Sequence, residues 1–178
     1  MQGAEDFDRS PSIIKTGVNE MAEIKQLYWE DVKVGDEVTT LPKIATTMML
    51  VKWAGASGDF NPHHYDDKSP MAAATGGIIV HGALKRQWLI QLMTDWIGDK
   101  GKLRKFSCQY RRLDFPRRMA NFVDPMEGET WLCKGTVTKK YVEDDQHLVE
   151  CEIWVENGQG EKAVPGNATV ALPYQGAK

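Results

Sequence analysis

Cysteine is scarce in this chain: Cys108, Cys133 and Cys151 are an odd three, far apart, which argues against a disulfide framework and for a reducing cytoplasm. Long apolar runs are missing too. A membrane-crossing helix needs about 20 uncharged apolar residues, and the greasiest stretch, 83–97, is interrupted by Lys85, Arg86, Gln87, Gln91 and Asp95. Residues 1–10 are acidic and carry neither the basic nor the apolar region of a secretory signal. There is no internal repeat, and no glycine fingerprint for a dinucleotide or phosphate loop; Gly76-Gly77 reads as a turn. Net charge is small, −3 over 178 residues with a pI near 5.8, so no global basic surface offers itself to nucleic acid.

What remains is the composition of a soluble globular protein, 42% apolar and 26% charged, at the length of one domain. Residues 1–25 are polar and aperiodic and read as a loosely ordered N-terminal extension, leaving 26–174 as the folded domain. A β-prone run spans 37–44 after the turn at Gly35-Asp36. Thr46 or Thr47 can cap a short helix toward Ser57, on which Met49, Leu50, Trp53 and Ala54 share a face. From Gly82 a long helix carries Leu84, Trp88, Leu89, Leu92, Met93 and Ile97, apolar over most of its circumference, as a helix wrapped by other structure would be. Strands follow at 103–110, around Trp131–Thr138 and Glu150–Glu156, and at 163–172, with turns at Asp144-Asp145 and Asn157-Gly158-Gln159-Gly160. The fold class is α+β: about four consecutive antiparallel strands, a curved sheet around one helix.

The chemistry concentrates in Ser57-Gly58-Asp59-Phe60-Asn61-Pro62-His63-His64, a loop stiffened by proline that brings a carboxylate and an imidazole five positions apart. Asp59 accepts only, whereas His64 gives or takes a proton near neutral pH, so together they can hold one water and move its protons. Ser57-Gly58-Asp59-x-Asn61-Pro62-x-His64 resembles the signature of the MaoC-like, (R)-specific enoyl-CoA hydratases, proteins of the hotdog fold. Trp29–Asp36 is similar to that family's approach to its first strand, and Val80-His81-Gly82-Ala83-Leu84 to the start of its central helix. The likeness runs over about residues 28–173.

The resemblance implies a single hotdog domain and a hydro-lyase. Its reaction is reversible addition of water to a trans-2-enoyl thioester, giving the (R)-3-hydroxyacyl thioester. Asp59 and His64 would be its catalytic pair. The Gly82 backbone N–H, at a helix start, would receive the developing enolate charge, and Asn61 and His81 would line the substrate site. A homodimer is implied, or a heterodimer of two hotdogs, with the site at the seam. No redox cofactor is called for; coenzyme A or phosphopantetheine enters as part of the substrate. No membrane or nucleic-acid partner is expected.

Blander readings stand beside these. Asp59 alone would be a turn carboxylate and His64 a packed loop histidine; their joint place in the motif favours catalysis. His63 reads as filler, Asp66 and Asp67 as solvated or capping, and His81 is as much a packed pre-helix histidine as a site residue. No metal is expected, since no helix-spaced His pair, Cys pair or calcium-loop pattern accompanies the histidines. Between Lys102 and Arg118 seven cations face the single acid Asp114; Arg111 and Arg112 are candidates for substrate phosphates, against a solvated strand face. A hotdog thioesterase and a non-catalytic acyl-thioester-binding subunit of a heteromer are the alternative functions.

Overall fold

A computed structural model describes residues 25–119 and 130–176, so all but the last residue of the expected extension lies outside the described residues. Five strands form one antiparallel sheet: β1 (Glu37–Lys43), β2 (Lys102–Cys108), β3 (Trp131–Glu143), β4 (Gln146–Glu156) and β5 (Lys162–Ala171), in the order β1-β3-β4-β5-β2. Three α-helices accompany them: α1 (Thr47–Ser57), α2 (Pro70–Thr75) and α3 (Gly82–Ile97). No described helix is long and apolar enough to cross a membrane.

Local chemistry explains where these elements begin and end. Thr46 is extended and its hydroxyl accepts from Met49 N at 3.2 Å, starting α1; Gly58, at φ 75°, closes it in the left-handed conformation that a side chain would strain. Asp144 and Asp145 both take positive φ, 47° and 57°, the two-residue turn whose twist suits the long β3–β4 hairpin. The Asn157 side-chain oxygen accepts from Gln159 N and Glu161 N, tying the β4–β5 loop.

The four later strands do not pair in chain order. β3, β4 and β5 form a meander, but β2 lies on the far edge beside β5, because residues 109–118 continue along β5 and then turn back across the start of α3. Period-two alternation shows which face of a strand is wet and says nothing about which strand is its neighbour. The core is one cluster: Leu84, Trp88, Leu89, Leu92, Met93 and Ile97 of α3 against inward residues such as Val38, Cys133, Val137, Cys151, Ile153, Val155 and Val170. Each such side chain contributes about 1.5–3 kcal/mol on burial. Burial also pushes the Cys133 and Cys151 thiols up to about 12, so both behave as apolar core residues. α3 is not wrapped all round: Arg86, Gln87, Gln91 and Thr94 form an exposed stripe.

Candidate active site

The loop after α1 is held by its own polar groups before it meets the rest of the fold. Asp59 N donates to Ser57 Oγ at 3.2 Å and Asn61 N to Asp59 Oδ1 at 3.4 Å; Pro62 then opens a single 3₁₀ turn, Pro62–His64. Two bonds staple this turn to the segment entering α3: Ile79 N donates to His63 O at 3.0 Å, and His64 Nδ1 lies 2.7 Å from Ile79 O. A carbonyl only accepts, so Nδ1 carries the proton and the Nε2 lone pair of neutral His64 is left facing Asp59 Oδ2, 3.9 Å away.

The electrostatics follow from burial. His64 is 5% exposed, and desolvation pulls its pKa below the ordinary 6.5, aided by the neighbouring imidazoles and opposed by the Ile79 carbonyl and the Asp59 carboxylate. His81, fully buried, is lowered first by desolvation as well. The His64 and His81 rings stack at 3.6 Å with an 18° interplanar angle; His63 packs against His64 at 3.9 Å and 60°. The His81 Nε2 atom lies 3.3 Å from the Asp59 carbonyl oxygen. Asp59, His64 and His81 bring ligand-type atoms within 4.8 Å of one another, yet stacked rings direct their lone pairs along parallel planes, a poor fit to the convergent sphere of a metal ion.

These groups open on a cleft of about 410 Å³ whose walls include Asp59, Asn61, His64, Gly82, Lys85, Tyr110, Arg112 and Leu113. Two slightly larger depressions, about 480 Å³ by Leu41 and Trp96 and about 470 Å³ by Arg104 and His147, hold no comparable convergence of proton-handling groups. Gly82 is the first residue of α3, and no side chain caps this helix start, which leaves first-turn N–H groups and partial positive charge at the cleft. Glycine suits a close approach: a Cβ there would stand 3.1 Å from the Tyr110 ring, which would have to give by a few tenths of an ångström. The Asn61 side-chain oxygen is buried without a partner, an acceptor or, with the amide turned, a donor for whatever enters.

No family model and no curated protein matches the sequence. Solved structures do. An (R)-hydratase from A. caviae involved in PHA biosynthesis is 25% identical over 81% of this chain and 99% of its own, with a TM-score of 0.64. The ChsH1-ChsH2 complex from Mycobacterium tuberculosis matches at 20% identity, over 79% of this chain and 98% of the other, TM-score 0.62. A MaoC-like dehydratase from Rhodospirillum rubrum matches at 19%, over 85% and 99%, TM-score 0.64. The chain has the MaoC-like hotdog fold.

Within this hotdog domain Asp59, Asn61, His64, His81 and Gly82 come together. Arg111 and Arg112 part: Arg112 lines the cleft and pairs with Glu161 at 3.1 Å, while Arg111 bonds Gln109 and faces a separate depression bordered by Glu152 and Asn167. Of the rest of the cationic run, Lys102 and Arg104 border the depression by His147, and Arg118 is held by Asp67 through two 2.5 Å bonds that also keep the Asp67 carboxyl low. Two residues absent from the sequence-derived site belong to its frame. Lys85, 2% exposed, donates to the Asp114 carboxylate and, at 3.1 Å, to Arg112 O, while Val80 N donates to Asp114 O at 2.8 Å. Their signal was present as two exceptions: a lysine on a buried helix turn and a lone acid in a cationic run.

Proposed function

We propose that this hotdog domain adds water to a trans-2-enoyl thioester to give the (R)-3-hydroxyacyl thioester, or catalyses the reverse dehydration. The reading is carried by one observation, the bare Nε2 of a neutral His64 and the Asp59 carboxylate facing each other at 3.9 Å. Two acceptors at that separation cannot bond each other, but a water about 2.8 Å from both would donate one proton to each, at roughly a right angle. With the double bond in the cleft, the water oxygen bonds to the β-carbon as one proton passes to His64 Nε2. The alkene electron pair moves through the α-carbon onto the thioester oxygen. That charge is met by N–H donors at the start of α3; one such donor is worth about 3 kcal/mol in the transition state. The enolate collapses by taking a proton at the α-carbon from the Asp59–His64 pair, and the second water proton stays on the new hydroxyl.

Coenzyme A or phosphopantetheine arrives as part of the substrate, and the position of Arg112 on the cleft wall, beside its Glu161 partner, supports a phosphate contact there. The partner is a second hotdog chain, by preference a copy of this one. The β2 edge is unpaired among the described strands, and Phe60, Tyr110, Leu113 and Phe115 expose apolar area beside the cleft. Three free thiols suit a cytoplasmic setting. The test is loss of enoyl-thioester absorbance over a panel of enoyl-CoA chain lengths, with product stereochemistry, thiol release and light-scattering mass recorded. Release of free thiol instead would make the protein a thioesterase; neither change, with an intact fold, would make it a binding subunit.

A further inference from the structure

His81 takes no proton in the chemistry proposed above, yet it touches the His64 ring and the backbone of Asp59. Its ring covers a face of His64 at 3.6 Å, and its Nε2 reaches the Asp59 carbonyl, 22 residues back in the chain, at 3.3 Å. That carbonyl is an acceptor, so Nε2 carries the hydrogen, and the Nδ1 of neutral His81 is bare, buried and without a partner. A core position whose only task was to fill space would do better with an apolar ring, because an orphaned polar atom in the interior is costly. The imidazole therefore has to be explained by its one polar contact, the tether between the entry to α3 and the catalytic loop.

We propose that His81 is a positioning residue: its stacked ring sets the plane of His64 and its N–H holds the loop at Asp59, so that the two acceptors keep the spacing of a single bridging water. This rests on the hydration reading. A displacement of an ångström or so is enough to cost about 100-fold in rate. Among the described residues, the titratable and charged groups around His64 are His63, which packs against it, His81, which stacks on it, the Asp59 carboxylate, which faces its Nε2, and Lys85, Arg112 and Tyr110, which line the same cleft from α3 and the 109–118 segment. With His81 in place the His64 ring is shielded from water, consistent with the desolvation that holds it neutral.

Two variants separate the two contacts. His81→Phe keeps the stacked face and loses the donor; His81→Gln keeps a donor for the Asp59 carbonyl and loses the stack. Steady-state kinetics and an NMR titration of the His64 ring are run on wild type and both variants. Each variant is expected to lose about 10- to 100-fold in kcat with KM within threefold. In His81→Gln, where water reaches the uncovered ring, the His64 midpoint and the acid limb of the rate profile rise together; in His81→Phe the midpoint moves less. If both variants fold and both keep wild-type kcat and the wild-type His64 midpoint, the proposal is overturned; if one does not fold, the other decides by the same criteria. Should wild type turn over no enoyl thioester, the hydration reading fails by itself, and the His64 titration still decides whether His81 positions that ring.

Discussion

Removing the Lys85 ammonium should be among the most damaging single changes outside the apolar core. Lys85 and Asp114 are 2% and 6% exposed, and their ion pair joins the first turns of α3 to the 109–118 segment that walls the cleft. In Lys85→Met the Asp114 carboxylate stays buried with only a long, 3.5 Å bond from Asn157 Nδ2 on its side chain. Breaking one side of such a pair typically costs about 3–5 kcal/mol, because an uncompensated charge is left in a poorly solvating place. A whole domain is stable by only about 5–15 kcal/mol. At about 2–4 °C per kcal/mol for a chain of this size, the melting temperature should fall by roughly 6–20 °C. Asp114→Leu should behave alike, stranding the ammonium. Lys85→Met/Asp114→Leu removes both charges, and the double variant should return to within about 2 kcal/mol of wild type. Urea denaturation at neutral pH on all four proteins measures the coupling directly. A single-variant cost under about 1 kcal/mol, or a double-variant cost equal to the sum of the singles, would refute the reasoning.

Asp59→Asn and His64→Ala should each slow enoyl-CoA hydration by about 10²- to 10⁴-fold with circular dichroism unchanged; wild-type rates in either would remove that residue from the mechanism. Arg112→Glu should raise KM more than it lowers kcat and weaken the salt dependence of KM, whereas Arg111→Glu, facing another depression, should leave both near wild type; equal effects would dissolve the distinction. Acidification should cost stability and activity together. His64 and His81 are both held below 6.5 in the folded chain, so the unfolded chain binds more protons, and stability that is complete above about pH 6.5 is lost as pH falls through the lowered folded values. A urea midpoint that stays flat between pH 7 and 5.5 would contradict this, as would kcat/KM that stays flat there.

Much of this was legible in the residues. A threonine cap at Thr46 or Thr47, the extent of α3, the alternation of β3 and the Asp59-to-His64 loop all come from local pattern, and local pattern is what a sequence carries most directly. Four things were not legible, three of them for one reason. The place of β2 beside β5, the partnership of Lys85 with an acid 29 residues away, and which of Arg111 and Arg112 meets the cleft all depend on the path of 109–118 across the sheet edge and back over α3. Alternation makes it plain that adjacent arginines point apart, without saying which one meets the cleft. The stacking of His81 on His64 had no sequence signal beyond the two residues' presence.

Apart from the His81–His64 stack, the contacts that tie the site's segments together are polar. Ile79 O fixes the His64 tautomer, the His81 N–H reaches Asp59, and the Lys85–Asp114 pair brings the Tyr110–Leu113 wall against the α3 start. Apolar packing has no direction and would tolerate the loop, the helix start and the crossing segment sliding past one another by fractions of an ångström. A hydrogen bond to a carbonyl loses its strength over the same displacement. The proposed hydration at one face of a double bond would require the water, its two acceptors and the oxyanion donors to stay in register while charge moves from one end of the substrate to the other. Directional tethers between segments distant in the chain would meet that requirement, and the proposed chemistry would account for buried imidazoles and a buried ion pair in place of apolar packing.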